Sequence, residues 1–291
     1  MMLCLAVSQL QAQDYTFSNH NIVPFSLNPA LAGNANALRL GLNYRMQWPA
    51  LGNKYNTARV SYDQNIYRQM SSIGIAVTRD DMAGGIYCTN EFNVAYSHTI
   101  KVGDEQFVRL GLQGGFFANF LNYNNLTFED QYDSRWQQVL PGGTLESFEN
   151  TSRLFPDFTF GAAFVIQNKF SFGGSVCHLT EPRNGFADID ANILRRKFVL
   201  HANFLQDFRG SHGLIGRHGD LSANHFFANA SYQQQQDFKL LNVGAGFSYD
   251  PLLLGVSFKD DLKLKDIYTV SFMLGGQYKG FQLYYIQRHY S

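Results

Sequence analysis

The chain has 291 residues, and its 23 Lys and Arg balance its 23 Asp and Glu, so the formal net charge is zero. A nucleic-acid-binding protein normally carries a basic excess and a basic face, so this balance argues against such a function. Charged residues make up only 16% of the chain and aromatic residues 15%, which leaves a soluble protein short of charge for a patch-free surface.

The first twelve residues, "MMLCLAVSQLQA", have the features of an export leader. An apolar stretch is followed by Leu10-Gln11-Ala12, which fits the core and cleavage end of a secretory signal. We therefore expect residues 1–12 to be a signal peptide and the mature chain to start near Gln13. The basic residues that normally open such a signal are missing, so we expect the natural start to lie upstream.

Residues 13–36 are predicted to form a segment at the rim or in the interior of the fold. Pro29 restricts Asn28 to an extended conformation, and the Asn28 side chain can then accept hydrogen bonds from nearby backbone amides. Gly33 permits a turn into the first strand.

From Leu38 onward the sequence alternates between apolar and polar residues, as antiparallel strands do. In the first strand Leu38, Leu40, Leu42 and Tyr44 share one face, and Arg39, Gly41, Asn43 and Arg45 share the other. The segments are about ten residues long, which matches tilted membrane-spanning strands better than the shorter strands of soluble proteins. Thirteen strands are predicted, centred near residues 42, 60, 75, 95, 113, 162, 174, 202, 230, 243, 255, 273 and 284.

Residues 37–291 are therefore predicted to form an all-β, antiparallel transmembrane β-barrel. Single-chain bacterial barrels have even strand numbers, so the full-length protein is expected to have fourteen strands. The chain has no run of about 18 apolar residues that would make a membrane helix. Cys88 and Cys177 allow one disulfide at most, and we expect two unpaired strand residues.

The connections are predicted to be of two kinds. Tight turns are expected at Asn168-Lys169, Asp250-Pro251 and Lys279-Gly280. Three long polar connections cover roughly 122–156, 180–195 and 209–220. We expect the short turns on one rim and the long loops on the other, the arrangement of outer-membrane barrels.

No catalytic or cofactor motif is present, and each candidate site is better explained by ordinary loop or strand residues than by a functional role. His212 and His218 could bind a metal, but their spacing favours a solvated loop. Two aspartate pairs could hold calcium, but polar loops fit better because "FADIDAN" lacks the glycine and distal glutamate of a calcium loop; the pairs are Asp188 with Asp190 and Asp80 with Asp81. For a hydrolase, no serine can be paired with the strand residues His98 or His201. We expect no catalytic, cofactor or metal residues.

One composite motif is much more specific than the strand pattern. "LNPALAG" contains Leu27, Asn28, Pro29, Ala30, Ala32 and Gly33, and the strand after it ends in Tyr44, Arg45, Gln47 and Trp48. This motif, together with the later strand rhythm including "SIGIAVTRDDMAG", resembles the PorP/SprF family of type IX secretion system membrane proteins of Bacteroidota. That family usually continues past a segment like "GFQLYY" into a closing strand, whereas this chain stops at Ser291.

The resemblance implies a non-enzymatic outer-membrane barrel that is accessory to type IX secretion. Its implied role is to aid export or surface anchoring of particular cargo, such as gliding adhesins, and its implied partners are that cargo, periplasmic components of the machinery and outer-membrane lipid. An outer-membrane channel or transporter for a small solute is the alternative, and a soluble β-rich surface protein fits the low charge poorly.

The motif residues are expected mainly to fix the start of the barrel, with direct partner binding as the alternative. They are Asn28, Pro29, Ala30, Gly33, Tyr44, Arg45, Gln47 and Trp48. Arg45 is expected to point into the lumen beside Arg39 and Asn43, and Trp48 to lie at a rim where an aromatic girdle occurs.

Overall fold

A computed structural model describes most of the chain as strands and short turns. The described residues are 14–17, 22–34, 38–48, 54–66, 69–123, 126, 128–133, 138–139, 151–167, 169–186, 193–207, 224–249, 251–262, 268–278 and 281–290. Three 3-10 turns cover Pro24–Ser26, Pro29–Leu31 and Glu129–Gln131. Within the described residues the strands are β1 Arg39–Gln47, β2 Tyr55–Ile66, β3 Ser71–Met82, β4 Tyr87–Gly103, β5 Gln106–Leu121, β6 Tyr132–Asp133, β7 Gln138–Val139, β8 Ser152–Ile166, β9 Phe170–Cys177, β10 Lys197–Asp207, β11 His225–Gln235, β12 Phe238–Tyr249, β13 Leu252–Asp261, β14 Tyr268–Tyr278 and β15 Phe281–Tyr290.

Thirteen of these strands form one sheet in chain order, from β1 through β5 and from β8 through β15, and β6 pairs separately with β7. Every pair in the large sheet is antiparallel. Each of the thirteen predicted centres lies within one of these strands, so the all-β antiparallel prediction is confirmed. In the described register β1 pairs only with β2, and β15 only with β14. The fourteenth strand stays a prediction.

The two faces of the sheet differ in polarity in the reverse sense to a soluble protein. One face exposes large apolar side chains, of which Leu42 is 74% and Phe272 55% exposed. The other face buries polar side chains, including Asp63, Ser97 and Asn242. Among the described residues, none lies in a helix that is both long and apolar enough to cross a membrane.

The N-terminal residues, named here the interior segment (14–17 and 22–34), lie against the polar face. Phe25 and Ala32 pack with Ala76 of β3 and Ala95 of β4. Ile22 packs against a cluster of strand residues from the far end of the sheet, namely Phe227, Leu253 and Met273. Since strands from both ends of the sheet contact one short segment, the sheet curls around it.

The connections alternate between two rims, because every strand reverses direction. The short-turn rim is the rim where β1 begins. It carries the short turns between β2 and β3, between β4 and β5 and between β12 and β13. The long-connection rim is the opposite one, and it carries the connections from Leu121 to Ser152 and from Cys177 to Lys197. The third long connection begins after Asp207 at the short-turn rim, so the prediction of all long loops on one rim was wrong for this one.

Candidate functional site

Asn28 is the centre of the contacts between the interior segment and the sheet. Its backbone is extended, with φ −151° and ψ 122°, and its side-chain oxygen accepts a hydrogen bond from the Ala30 amide at 2.9 Å. Both features were predicted from Asn28-Pro29. The side-chain nitrogen lies 3.0 Å from the Ala162 oxygen, 3.1 Å from the Gly174 oxygen and 2.9 Å from His201 Nε2. The Ala30 contact fixes which side-chain atom is oxygen, so the nitrogen faces the three acceptors.

Two strand glycines make room for this turn. A Cβ on Gly111 of β5 would lie 2.1 Å from the Ala30 nitrogen, and a Cβ on Gly161 of β8 would lie 2.0 Å from Asn28 Oδ1. A glycine inside a strand often marks the close approach of another backbone. Here the backbone that approaches is the Asn28–Ala30 turn, so the sheet and the motif are fitted to each other.

A second set of contacts holds the segment near the short-turn rim. Gly33 has φ +60°, as a turn glycine can, and its amide donates to Asp63 Oδ2 at 2.7 Å. Arg39 binds both oxygens of Asp63 at 2.8 Å. Arg109 of β5 donates to the Ala32 oxygen at 2.6 Å. The contact of Arg39 with both oxygens of Asp63 is a two-point contact, and such contacts are strong and geometrically specific.

Two serine hydroxyls bind further backbone carbonyls of the segment. Ser97 of β4 donates to the Ala30 oxygen at 3.1 Å, and Ser175 of β9 donates to the Leu27 oxygen at 2.7 Å. Buried carbonyls need such partners because an unpaired one costs free energy. The polar face therefore supplies hydrogen bonds that irregular backbone cannot make with itself.

A charged cluster holds the first described residue of the segment near the long-connection rim. Asp14 Oδ2 lies 2.9 Å from His178 Nε2 and 2.5 Å from Lys197 Nζ, and His178 Nδ1 lies 3.1 Å from Asp157 Oδ2. His178 directly follows β9, and Lys197 is the first residue of β10. The cluster thus ties the segment to two neighbouring strands.

Electrostatics favour charged forms of both Asp14 and His178. Burial raises the pKa of Asp14, but the charges and hydrogen bonds of Lys197 and His178 outweigh it, so the net pKa lies below its ordinary value. Burial lowers the pKa of His178, but the charge of Asp14, the hydrogen bond to Asp14 and the interaction with Asp157 raise it to about 10. The pair is therefore a carboxylate and an imidazolium at neutral pH.

Tyr15 adds a second contact in the same region. Its hydroxyl donates to Glu91 of β4 at 2.9 Å and lies 3.3 Å from Thr78 Oγ1. Arg59 of β2 donates to Thr78 at 3.1 Å, and its guanidinium lies 5.0 Å from the centre of the Phe25 ring. Cation–π contacts of this kind add modest stability. Tyr15 and Phe25 thus link both parts of the interior segment to β2, β3 and β4.

The second half of the motif lies at the far end of β1, away from Asn28, Pro29, Ala30 and Gly33. Arg45 and Gln47 lie on the inward face and contact each other, as expected for Arg45. Tyr44 and Trp48 lie on the exposed face, where Trp48 packs edge-on against Tyr55 with ring centres 5.1 Å apart. The motif therefore marks two places: the turn of the interior segment and the long-connection end of β1.

The remaining candidate residues have local protein partners or lie outside the described residues. Asp80 accepts a hydrogen bond from Thr57 at 2.5 Å, and Asp81 pairs with Arg79 at 2.9 Å. No group of His, Cys, Asp or Glu in the described part of the chain has the arrangement of a metal site. The candidates outside the described residues are His212, His218, Asp188 and Asp190.

Three other strand residues were considered for catalysis or disulfide formation, namely His98, Cys88 and Cys177. Ser71 does lie 3.2 Å from His98 Nδ1, a contact that the sequence did not indicate, but its hydroxyl also contacts Tyr96 and the Gln69 oxygen. Cys88 and Cys177 are free and buried, as expected.

Sequence reasoning missed most of the interior contacts. It identified Asn28 and Gly33 but not Asp14, His178, Asp63 or Arg109. The usable signal was the alternation itself, because buried aspartates and arginines on the inward face of predicted strands need partners.

An all-β antiparallel sheet with an apolar outer face and a polar, segment-filled inner face is the fold of a β-rich membrane protein. A comparison with family models matches residues 9–288 to the family described as "Type IX secretion system membrane protein PorP/SprF". The chain belongs to that family, and the family that its sequence resembles is confirmed. A search of curated proteins found no match.

Proposed function

We propose that this protein is a non-enzymatic outer-membrane barrel that assists the type IX secretion system in exporting or anchoring specific cargo, such as a gliding adhesin. The observation that carries the proposal is the filled interior. Asn28, Ala30 and Ala32 are fully buried inside the curled sheet, and they are held by side chains from several strands. An interior occupied by the protein's own chain favours a role performed through the rims and the outer face rather than through an open lumen.

The outer face supports a place in a lipid bilayer. Large apolar side chains point outward along the strands, and many inward positions are polar, which is the alternation of a membrane-spanning barrel. Trp48 and Tyr55 pack edge-on where β1 ends and β2 begins, a position suited to an interfacial aromatic girdle. We therefore place the protein in the outer membrane, with lipid, cargo and periplasmic secretion components as its partners.

The proposed organisation has three parts. Residues 1–12 are a leader that is removed on export, residues 13–36 are a plug, and residues 37–291 form the barrel. In this scheme Asn28, Pro29, Ala30 and Gly33 seat the plug, while Tyr44, Arg45, Gln47 and Trp48 shape the long-connection end of β1.

Deletion of the gene tests the proposal. The deletion strain and its parent are compared by proteomics of culture medium and cell surface, and uptake of labelled small solutes is measured in parallel. Loss of one large surface adhesin with normal uptake is the expected result, and the wild-type gene should restore it. Complementation with a gene carrying Gly276→Ala should restore the adhesin equally well and serves as the control for a harmless substitution, because a Cβ there would meet nothing nearer than 3.9 Å.

The alternative function, a channel for a small solute, makes the opposite prediction. Uptake would fall and the secreted proteins would be unchanged. That pair of results would overturn the secretion role.

A further inference from the structure

The path of the interior segment between the two rims has a topological consequence. The segment ends at the short-turn rim, where Gly33 contacts Asp63 and β1 begins at Arg39. It starts at the opposite side, where Asp14 contacts His178 and Lys197 at the long-connection ends of β9 and β10. The described segment therefore crosses the interior from one rim to the other.

The neighbours of Thr16 also place this part of the segment near the long-connection rim. Lys259 contacts the Thr16 hydroxyl, and Arg288 donates to the Thr16 oxygen at 3.5 Å. Lys259 lies two positions before the end of β13, and Arg288 two positions before the end of β15; both strands end at the long-connection rim. The contacts with β9, β10, β13 and β15 thus all place residues 14–16 near the long-connection rim.

Asp14 marks the end of the described segment that is nearest to the long-connection rim. The sheet forms the walls, and residues 22–34 fill the interior towards the short-turn rim. Asp14 itself is held at the long-connection ends of β9 and β10.

We infer that the Asp14 end of the interior segment lies at the long-connection rim, on the cell-surface side of the outer membrane. The inference rests on the proposed outer-membrane location. In outer-membrane barrels the short turns face the periplasm and the long loops face outward. The Asp14 cluster then lies on the exterior side, together with the ends of β5 and β9 and the beginning of β10.

Epitope accessibility in intact cells tests this inference. One short epitope is inserted between Gln13 and Asp14, a second in the two-residue turn Gln236-Asp237 of the long-connection rim, and a third in the two-residue turn Asp104-Glu105 of the short-turn rim. An impermeant antibody should stain the first two on intact cells, and the third only after the outer membrane is permeabilised. The two turns are matched controls because they have the same length and lie on opposite rims.

Each other staining pattern overturns the inference. Staining of the Gln13 epitope only after permeabilisation, with the Asp237 epitope stained on intact cells, would place the Asp14 end of the segment on the periplasmic side. Staining of the Glu105 epitope alone on intact cells would invert the protein in the membrane. Gln13→Cys and Glu105→Cys, made with Cys88→Ser and Cys177→Ser and treated with an impermeant maleimide, repeat the test without an insertion. We expect several-fold more label at position 13 than at position 105, and equal or reversed labelling would overturn the inference.

The result is independent of the secretion role. Unchanged secretion after gene deletion would remove the proposed function but leave the staining pattern intact. Staining that contradicts the rim assignment, with an adhesin still lost on deletion, would remove the inference alone.

Discussion

Replacement of Asn28 by alanine should loosen the interior segment while the sheet stays folded. The Asn28 side chain is fully buried and contacts the Ala30 amide, two strand carbonyls and His201. In Asn28→Ala the Ala30 N–H loses its side-chain acceptor and the strand groups lose their donor. A buried polar group without a partner costs about 1–3 kcal/mol.

If the Ala30 N–H and one of the three strand groups are counted as left without a partner, we expect a loss of about 3 kcal/mol in the free energy that seats the segment. Since about 1.4 kcal/mol corresponds to a factor of ten, the open population of the segment should rise about a hundredfold. The sheet retains its own ladders, so the effect should be local.

Amide hydrogen exchange in detergent micelles measures this change directly. The Leu31 amide donates to the Asn28 oxygen at 3.0 Å, and the Ala32 amide donates to the Pro29 oxygen at 3.0 Å. Protection of both should fall about a hundredfold in Asn28→Ala, while strand amides in β12 stay protected. Asn56→Ala is the matched control, because the Asn56 side chain bonds Tyr44 on the exposed face.

Asn28→Asp gives a second reading of the same site. The aspartate keeps an acceptor for the Ala30 amide but turns a carboxylate toward the carbonyls of Ala162 and Gly174, so protection should fall at least as far. If Leu31 protection in Asn28→Ala stays within about threefold of wild type, corresponding to less than about 0.7 kcal/mol, the side chain does not seat the segment and the reasoning is refuted.

Three further predictions concern other contacts of the segment. Gly111→Ala should expel the segment and expose it to protease, because a Cβ there would lie 2.1 Å from a segment nitrogen; Gly276→Ala should have no effect, and equal cleavage of both would contradict the fit. Asp63→Asn should lower stability in thermal unfolding by about 3 kcal/mol, because it leaves the partly buried Arg39 without its carboxylate; an unchanged melting temperature would rule this out. The pKa of His178 is raised from 6.5 to about 10, so its contribution is full below pH 6.5 and disappears as the pH rises through 10. The stability difference between wild type and His178→Gln should therefore shrink from pH 6.5 to 10, and a constant difference would disprove the charged pair.

The strands were predictable from sequence because each strand shows its own alternation of apolar and polar residues. A strand that separates an apolar exterior from a polar interior must change polarity at every residue. In β1, Leu42 and Tyr44 are exposed while Asn43 and Arg45 face inward, as predicted. The two-residue strands β6 and β7 carry too few residues for any alternation, and they were not predicted.

The rim of each connection was also predictable, but from the order of the strands rather than from the length of the loop. Strands alternate in direction, so the connection after the eighth strand of the sheet, β10, must lie on the same rim as the turn after β2. Loop length was used instead, and the long connection after Asp207 was therefore placed on the wrong rim.

The local part of the candidate site was predictable, and the long-range part was not. The extended backbone of Asn28, its bond to the Ala30 amide and the turn at Gly33 depend only on neighbours in sequence. The contact of Asn28 with His201 joins residues 173 positions apart. Single-sequence patterns contain no information about such pairs.

The rim-to-rim path of the segment also constrains the order of folding. Asp14 contacts Lys197, 183 positions later, and Thr16 contacts Arg288, 272 positions later. Contacts of such wide sequence separation form slowly because the chain between them must first be ordered. The last described strand, β15, must therefore be in place before Thr16 has all its partners. Complete seating of residues 14–17 thus records that the described strands up to β15 have formed.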